Sequence, residues 1–133
     1  MRALVFAIAM LASGMAGAAP LETKFAGTTP IAISGLSDQG TCFPAKISGK
    51  VAKRVFDNSG VKLTAVVIEE RSGERSHINI DAEKIGAASA VDASNAFRGL
   101  QIILREGNRV SGQVFACGAA GRVLMLDTIR AAR

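Results

Sequence analysis

The 133-residue sequence has no tryptophan, no tyrosine and a single histidine, His77. Aromatic rings are the usual stacking platforms of sugar-binding and single-strand nucleic-acid surfaces, so a face built on stacking is not expected. Of the six phenylalanines, five lie beyond residue 18, and several of those are needed for a core. A lone histidine also narrows the chemistry. Ser76 adjoins it, but neighbours on a strand project to opposite faces and cannot form a nucleophile–base pair. Two cysteines and one histidine are too few soft ligands for a zinc site, so no metal and no cofactor is expected. G-x-S-x-G, H-E-x-x-H, the P-loop and G-x-G-x-x-G are all absent. Glu69 and Glu70, followed by Arg71, read as an exposed strand end and not as a carboxylate dyad. The chain is not expected to be an enzyme.

Long apolar runs are missing too. Ala3 to Ala12 is the longest such stretch, and it falls short of the ~20 residues that span a bilayer. Preceded by Arg2 and followed by the small residues Ala16-Gly17-Ala18, it has the form of a signal peptide over residues 1–18. Export, to the periplasm or beyond, is therefore expected, with no membrane span in the product. No cysteine follows directly, so a lipid anchor is not expected. Cys42 and Cys117 both lie in the remaining part, where an oxidising compartment would pair them. The loop they enclose is long, which the chain-entropy model values at roughly 4 kcal/mol. The formal net charge of +5, Arg2 included, suits solubility as well as it suits an anionic partner.

What is present is β-branched and glycine-punctuated. Residues 19–44 contain Pro20, Pro30 and scattered Gly, Thr and Ser, and read as an extended arm with a short strand at Ile31-Ala32-Ile33. Ala45 to Phe56 alternates imperfectly: Ile47, Val51 and Val55 would share a face, while Lys53 breaks the pattern and Gly49 interrupts it. Together these predict a coiled strand with a bulge. Asp57 to Gly60 is a hairpin turn signal, Val61 to Glu70 a second strand, and Arg75 to Asp81 a third with Ile78 and Ile80 inward. The alanine-rich stretch that follows predicts the one helical connection. Asp81 caps a first turn, and Asp92 or Ser94 caps a second that stops at Gly99. Strands resume at Leu100 to Leu104 and at Arg109 to Cys117. After the Gly118–Gly121 loop the last strand runs from Arg122 to Arg130.

The order β-β-β-α-β-β, with Gly49 in "KISGKVAKRV" and the segment "EGNRVSGQV", resembles the OB-fold, a small five-stranded Greek-key barrel. The resemblance covers Ala45 to Arg130. Its implication is a mainly β chain with an OB-like barrel over residues 45–133 and one short helical connection. Glycines then have a mechanical reason, since a five-stranded barrel closes only if its strands bend hard. The first and fourth strands of such a barrel lie antiparallel, so Cys42 before one would meet Cys117 at the end of the other. A seven-stranded immunoglobulin-type sandwich is the rival, but it would need more strands and a tryptophan. OB barrels bind along strands two and three, between the loops that are here Asp57–Gly60 and Gly118–Gly121. That places the candidate ligand surface at Lys62, Thr64, Arg75, His77, Asn79 and Arg122, against the plainer reading of a solvent-facing sheet guarded by charge.

Small exported bacterial barrels of this kind are associated with envelope stress and with binding small or charged ligands, so the resemblance implies a non-catalytic periplasmic binding or adaptor module. The exported haem-chaperone barrels share the form, but attach haem through a histidine near the C-terminal tail. This chain ends "TIRAAR". Two other functions remain. One is single-strand nucleic-acid binding, favoured by Lys46, Lys50, Lys53 and Arg54 and opposed by export and the shortage of aromatics. The other is a protein inhibitor or structural subunit of an envelope assembly, whose N-terminal arm would add as a strand to a partner. Fold alone does not choose among them.

Overall fold

A computed structural model describes residues 19–132. The predicted signal peptide lies outside the described residues. These form seven strands: β1 (Glu22–Ala26), β2 (Thr29–Ser34), β3 (Phe43–Phe56), β4 (Leu63–Glu69), β5 (Arg75–Asn79), β6 (Arg109–Cys117) and β7 (Val123–Ala131). Two helices, α1 (Ala82–Ala87) and α2 (Ala90–Ile103), connect β5 to β6, and a 3-10 turn at Ala119–Gly121 precedes β7.

Strands β3 to β7 close into a barrel. β3 pairs antiparallel with both β4 and β6, β4 with β5, and β6 with β7. The ring closes where β5 and β7 run parallel, Ile78 beside Leu124 and Asn79 beside Met125. This is the mainly β, OB-like arrangement expected from the strand order, with extra strands added.

Two glycines let the ring close. At Gly49 a Cβ would fall on the carbonyl oxygen of Glu69. At Gly112 it would fall on that of Thr128, with Ile129 Cα 3.0 Å away. Backbone occupies the space where any side chain would go. A bulge between Val51 and Lys53 adds curvature and reverses the alternation beyond it. Ile47 and Val51 therefore face the core, whereas Val55 is not among the core residues.

The core is a single cluster of Ile33, Ile47, Val51, Leu63, Val66, Ile68, Ile78, Leu126 and Ile129 with residues of the helices. Each such aliphatic side chain, fully buried, contributes about 1.5–3 kcal/mol. Helix α2 supplies Ala96, Gly99, Leu100 and Ile103, a spacing that puts all four on one face. Asp81 caps α1 by accepting from Lys84 N at 3.1 Å, as expected. The start of α2 differs: Ser89, not Asp92 or Ser94, accepts from Asp92 N at 3.2 Å. Nor does the helix stop at Gly99. That residue is buried against Pro30 and Ile33, where the missing side chain lets α2 pack close to β2, and the helix runs on through Ile103. Leu100 to Leu104 is accordingly helix and C-cap, not strand. A short apolar run does not distinguish the two by itself.

Cys42 and Cys117 form a disulfide. The bridge lies one residue beyond the first β3–β6 pair, Phe43 with Ala116. It thus pins the two barrel strands as the antiparallel geometry implies.

The segment before β3, expected as an extended arm with one short strand, contains a two-stranded hairpin. β1 pairs with β2, and β2 pairs with β7 at Ala32–Arg130 and Ile33–Ile129. β7 can accept it because β5 occupies only the start of that edge. Arg98 donates to the Thr28 carbonyl at 3.0 Å, and Leu36 N donates to the Asp127 carbonyl at 3.0 Å, fastening the hairpin to helix and barrel.

Candidate functional site

The six residues expected on the OB binding face do not form one cluster of free polar groups. Arg75, His77 and Asn79 alternate along β5, opposite Glu69, Val67 and Ala65 of β4. Arg75 is already paired with Glu69, Nε to Oε1 at 3.6 Å. Asn79 Nδ2 donates to the Leu124 carbonyl at 3.2 Å, bracing the parallel β5–β7 closure. Thr64 sits beside the irregular end of the β3–β4 pairing and donates to the Val55 carbonyl at 3.2 Å. Lys62 lies against α2, its Nζ 5.6 Å from the centre of the Phe97 ring. Arg122 is exposed in the turn before β7, and His77 is exposed on β5. In the Asp57–Gly60 loop, the Ser59 hydroxyl hydrogen-bonded to the Asp57 carboxylate is the main cause holding its pKa below the usual value.

A better-formed concavity lies on a different face. It has a volume of about 430 Å³ and sits where the hairpin diverges from the barrel, over β6, β7 and the first half of β3. Register explains its composition. Lys24 pairs with Ala32, Ala32 with Arg130, Arg130 with Ser111 and Ser111 with Ser48, so one row crosses five strands on one face. The parallel row of Thr128, Gln113 and Lys46 shares that face. Between the two rows, Ile33, Ile129, Gly112 and Ile47 face the other way and join the core where they carry side chains. Alternation thus gives the barrel its apolar interior and the groove its two polar rows, while Ala32, Ile33, Ile47, Gly112 and Ile129 complete a lining that is largely apolar.

The lining carries three cations, Lys24, Lys46 and Arg130, together with hydroxyls from Ser34, Ser48, Ser111 and Thr128 and the Gln113 amide. No carboxylate and no aromatic ring lines it. Arg130 is pre-oriented, its Nε donating to Ser111 Oγ at 2.9 Å, which leaves the terminal nitrogens of the guanidinium for a ligand. Lys50 and Arg109, paired across β3 and β6, continue the basic face beyond the groove.

One carboxylate adjoins the groove through Gln113. Asp127 is 8% exposed and its Oδ2 accepts from Gln113 Nε2 at 3.4 Å. Burial raises its pKa, opposed by the positive charge of Lys84 and by hydrogen bonds from Ser37 N–H and Gln113. Lys84 in turn bridges to Asp38 at 2.8 Å.

Among the described residues no three His, Cys, Asp or Glu side chains cluster to hold a metal ion. No helix among them is long and apolar enough to cross a membrane. No protein-family model matches the chain, and no curated protein or solved structure matches it. Of the groove residues, sequence reasoning had marked only Lys46, as one of several basic residues on the first barrel strand. Lys24, Ser34, Ser48, Ser111, Gln113, Thr128 and Arg130 were missed. The usable signal was polar alternation: Lys46-x-Ser48-x-Lys50, Arg109-x-Ser111-x-Gln113 and Thr128-x-Arg130.

Proposed function

We propose that this chain is an exported, non-catalytic binding module that takes a small anionic ligand in the groove between the β1–β2 hairpin and the barrel. The observation that carries the reading is the lining of that groove: three cations from three strands, hydroxyl and amide donors between them, and no carboxylate. A concave site with convergent polar groups is the usual form of a small-molecule site. The disulfide and the signal-like residues 1–18 support an oxidising, periplasmic or secreted setting. A role in envelope stress belongs to the same reading.

The test is an amide NMR titration of the oxidised, exported chain with citrate, inorganic phosphate and short oligothymidylate at low and moderate salt. Shifts at Ser48, Ser111, Gln113 and Arg130 caused by the small anions support the proposal. An absence of shifts with all three refutes it. A response to the oligonucleotide alone, weakening steeply with salt, would transfer the function to nucleic-acid binding.

A second reading, as an inhibitor or assembly subunit, has its own observation. β1 stands at the end of the strand order, so one edge of it has no partner among the described residues and is open to strand addition. Capture of a periplasmic protein by the parent chain, abolished by a proline at Thr23, would favour it.

A further inference from the structure

We infer that the groove selects compact ligands bearing two or more phosphoryl groups, a conclusion that rests on the groove being the binding site. Three features set this class apart. The first is the spread of the cations. Lys24 lies two strands from Arg130 in register and Lys46 two strands away and two residues along, so backbone positions are separated by roughly 10 Å and roughly 12 Å on the two sides of the arginine. A single small anion held by the guanidinium cannot occupy both flanks, whereas a molecule with several anionic groups can meet all three cations.

The second is the kind of donor. A planar carboxylate is satisfied by one arginine fork. This groove adds four hydroxyls and an amide around the fork, enough donors for the additional oxygens of phosphoryl groups. Ser111 already holds Arg130 in place, so the guanidinium meets its ligand with little ordering left to do.

The third is the absence of any ring among the lining residues. Without an aromatic stacking surface a nucleobase lacks its usual platform, and the charged and hydrogen-bonding groups carry the selectivity. The volume of about 430 Å³ holds a small molecule and not a folded polymer. This surface lies on β3, β6, β7 and the hairpin, away from the β4–β5 face that OB barrels commonly use.

The chemistry is shared by condensed inorganic phosphates and by phosphorylated polyols, and calorimetry on the oxidised, exported chain separates them. The probes are tripolyphosphate, inositol trisphosphate, inorganic phosphate and citrate, with amide shifts to locate binding. Tripolyphosphate or inositol trisphosphate is expected to bind at least about tenfold more tightly than inorganic phosphate and citrate. Whichever of the two binds more tightly names the source. Arg130→Gln is expected to weaken that binding by about tenfold to a hundredfold, the effect of losing a charge-assisted fork. Lys24→Gln and Lys46→Gln, both exposed surface changes, should each weaken it less, and Arg75→Gln on β5 should leave it unchanged. If inorganic phosphate binds as tightly as either probe, the multi-phosphoryl claim is wrong, though the groove remains an anion site. Citrate binding as tightly as either would show that charge alone is read. If nothing binds, or shifts appear on β5 instead, the groove reading falls together with this inference.

Discussion

Adding one methyl group to Gly112 should unfold more of this protein than its size suggests. The Cβ of Gly112→Ala would fall on the carbonyl oxygen of Thr128, with the carbonyl carbon 2.9 Å and Ile129 Cα 3.0 Å away. All three are backbone atoms, so no rotamer change relieves the contact. Ordinary approach of carbon to oxygen is about 3.3–3.6 Å, and β6 and β7 must therefore separate locally by roughly an ångström. Separation weakens one or two ladder hydrogen bonds at about 1 kcal/mol each. It also disturbs packing at Ile129 and its row neighbours Ile33 and Ile47, at about 1–2 kcal/mol more. The expected loss is about 3 kcal/mol, in the upper range for a point substitution. Gly86→Ala is the matched control. Gly86 lies in α1 with nothing within 4 Å of the added carbon, so the same chemical change should stabilise by about 0.5–1 kcal/mol. Urea unfolding of the oxidised chain reads both. With an m-value of about 1.5 kcal/mol/M, the Gly112→Ala midpoint should fall by roughly 2 M. A Gly112→Ala variant within about 0.5 kcal/mol of the parent would refute the claim that close β6–β7 approach closes the barrel.

Three further outcomes are expected. Cys42→Ser or Cys117→Ser removes a crosslink spanning 75 residues, which the chain-entropy model values at about 4.5 kcal/mol; equal melting temperatures for variant and oxidised parent would contradict this. Asp127 has its folded pKa raised by burial, so its protonated form is favoured on folding. The stability it contributes is full below the unfolded carboxyl value and is lost as pH rises through the folded one. Asp127→Asn should therefore gain on the parent as pH climbs from the ordinary carboxylate value, near 4, toward neutral, and a gap that shrinks over that range would reverse the sign. Arg54 Nε is buried with no hydrogen-bond partner, while its guanidinium carbon stands 5.2 Å from the centre of the Phe56 ring. Arg54→Met keeps the aliphatic stem and should change stability by less than about 1 kcal/mol, whereas a loss near 3 kcal/mol in thermal unfolding would reveal a hidden partner.

The barrel was legible because its signals are local and redundant. Strand β6 is visible from alternation bounded by turn residues, and Gly49 with the misplaced Lys53 announces the bend and bulge in β3. What failed were places where tertiary contact overrides local preference. Glycine at position 99 reads as a helix stop, yet burial against Pro30 and Ile33 makes it a point of close helix–strand packing. The hairpin was hidden for a related reason. In β1 the burial pattern gives one half-buried residue among exposed ones, so no hydrophobic alternation marks it. β2 was expected only as the short strand Ile31-Ala32-Ile33, within the observed Thr29–Ser34.

The groove follows the same division. Its polar rows on β3, β6 and β7 are written as simple alternation, since Lys46, Ser48, Ser111, Gln113, Thr128 and Arg130 must face outward if Ile47, Val110, Val114 and Ile129 face the core. Nothing in that alternation says that the outward face is concave. Concavity depends on β2 taking the part of the β7 edge that β5 leaves open, and on β1 then carrying Lys24 onto the same face. That is a long-range pairing of two residues on each strand, Ala32 and Ile33 with Arg130 and Ile129. Short pairings of this kind are set by packing from behind, here α2 against β2, and not by the strands' own composition. Reasoning from the commonest use of the fold pointed to β4 and β5, where Glu69 already engages Arg75 and Asn79 is committed to the closure. The concavity lined by Lys24, Lys46 and Arg130 lies instead where this chain departs from the minimal barrel, at the added hairpin.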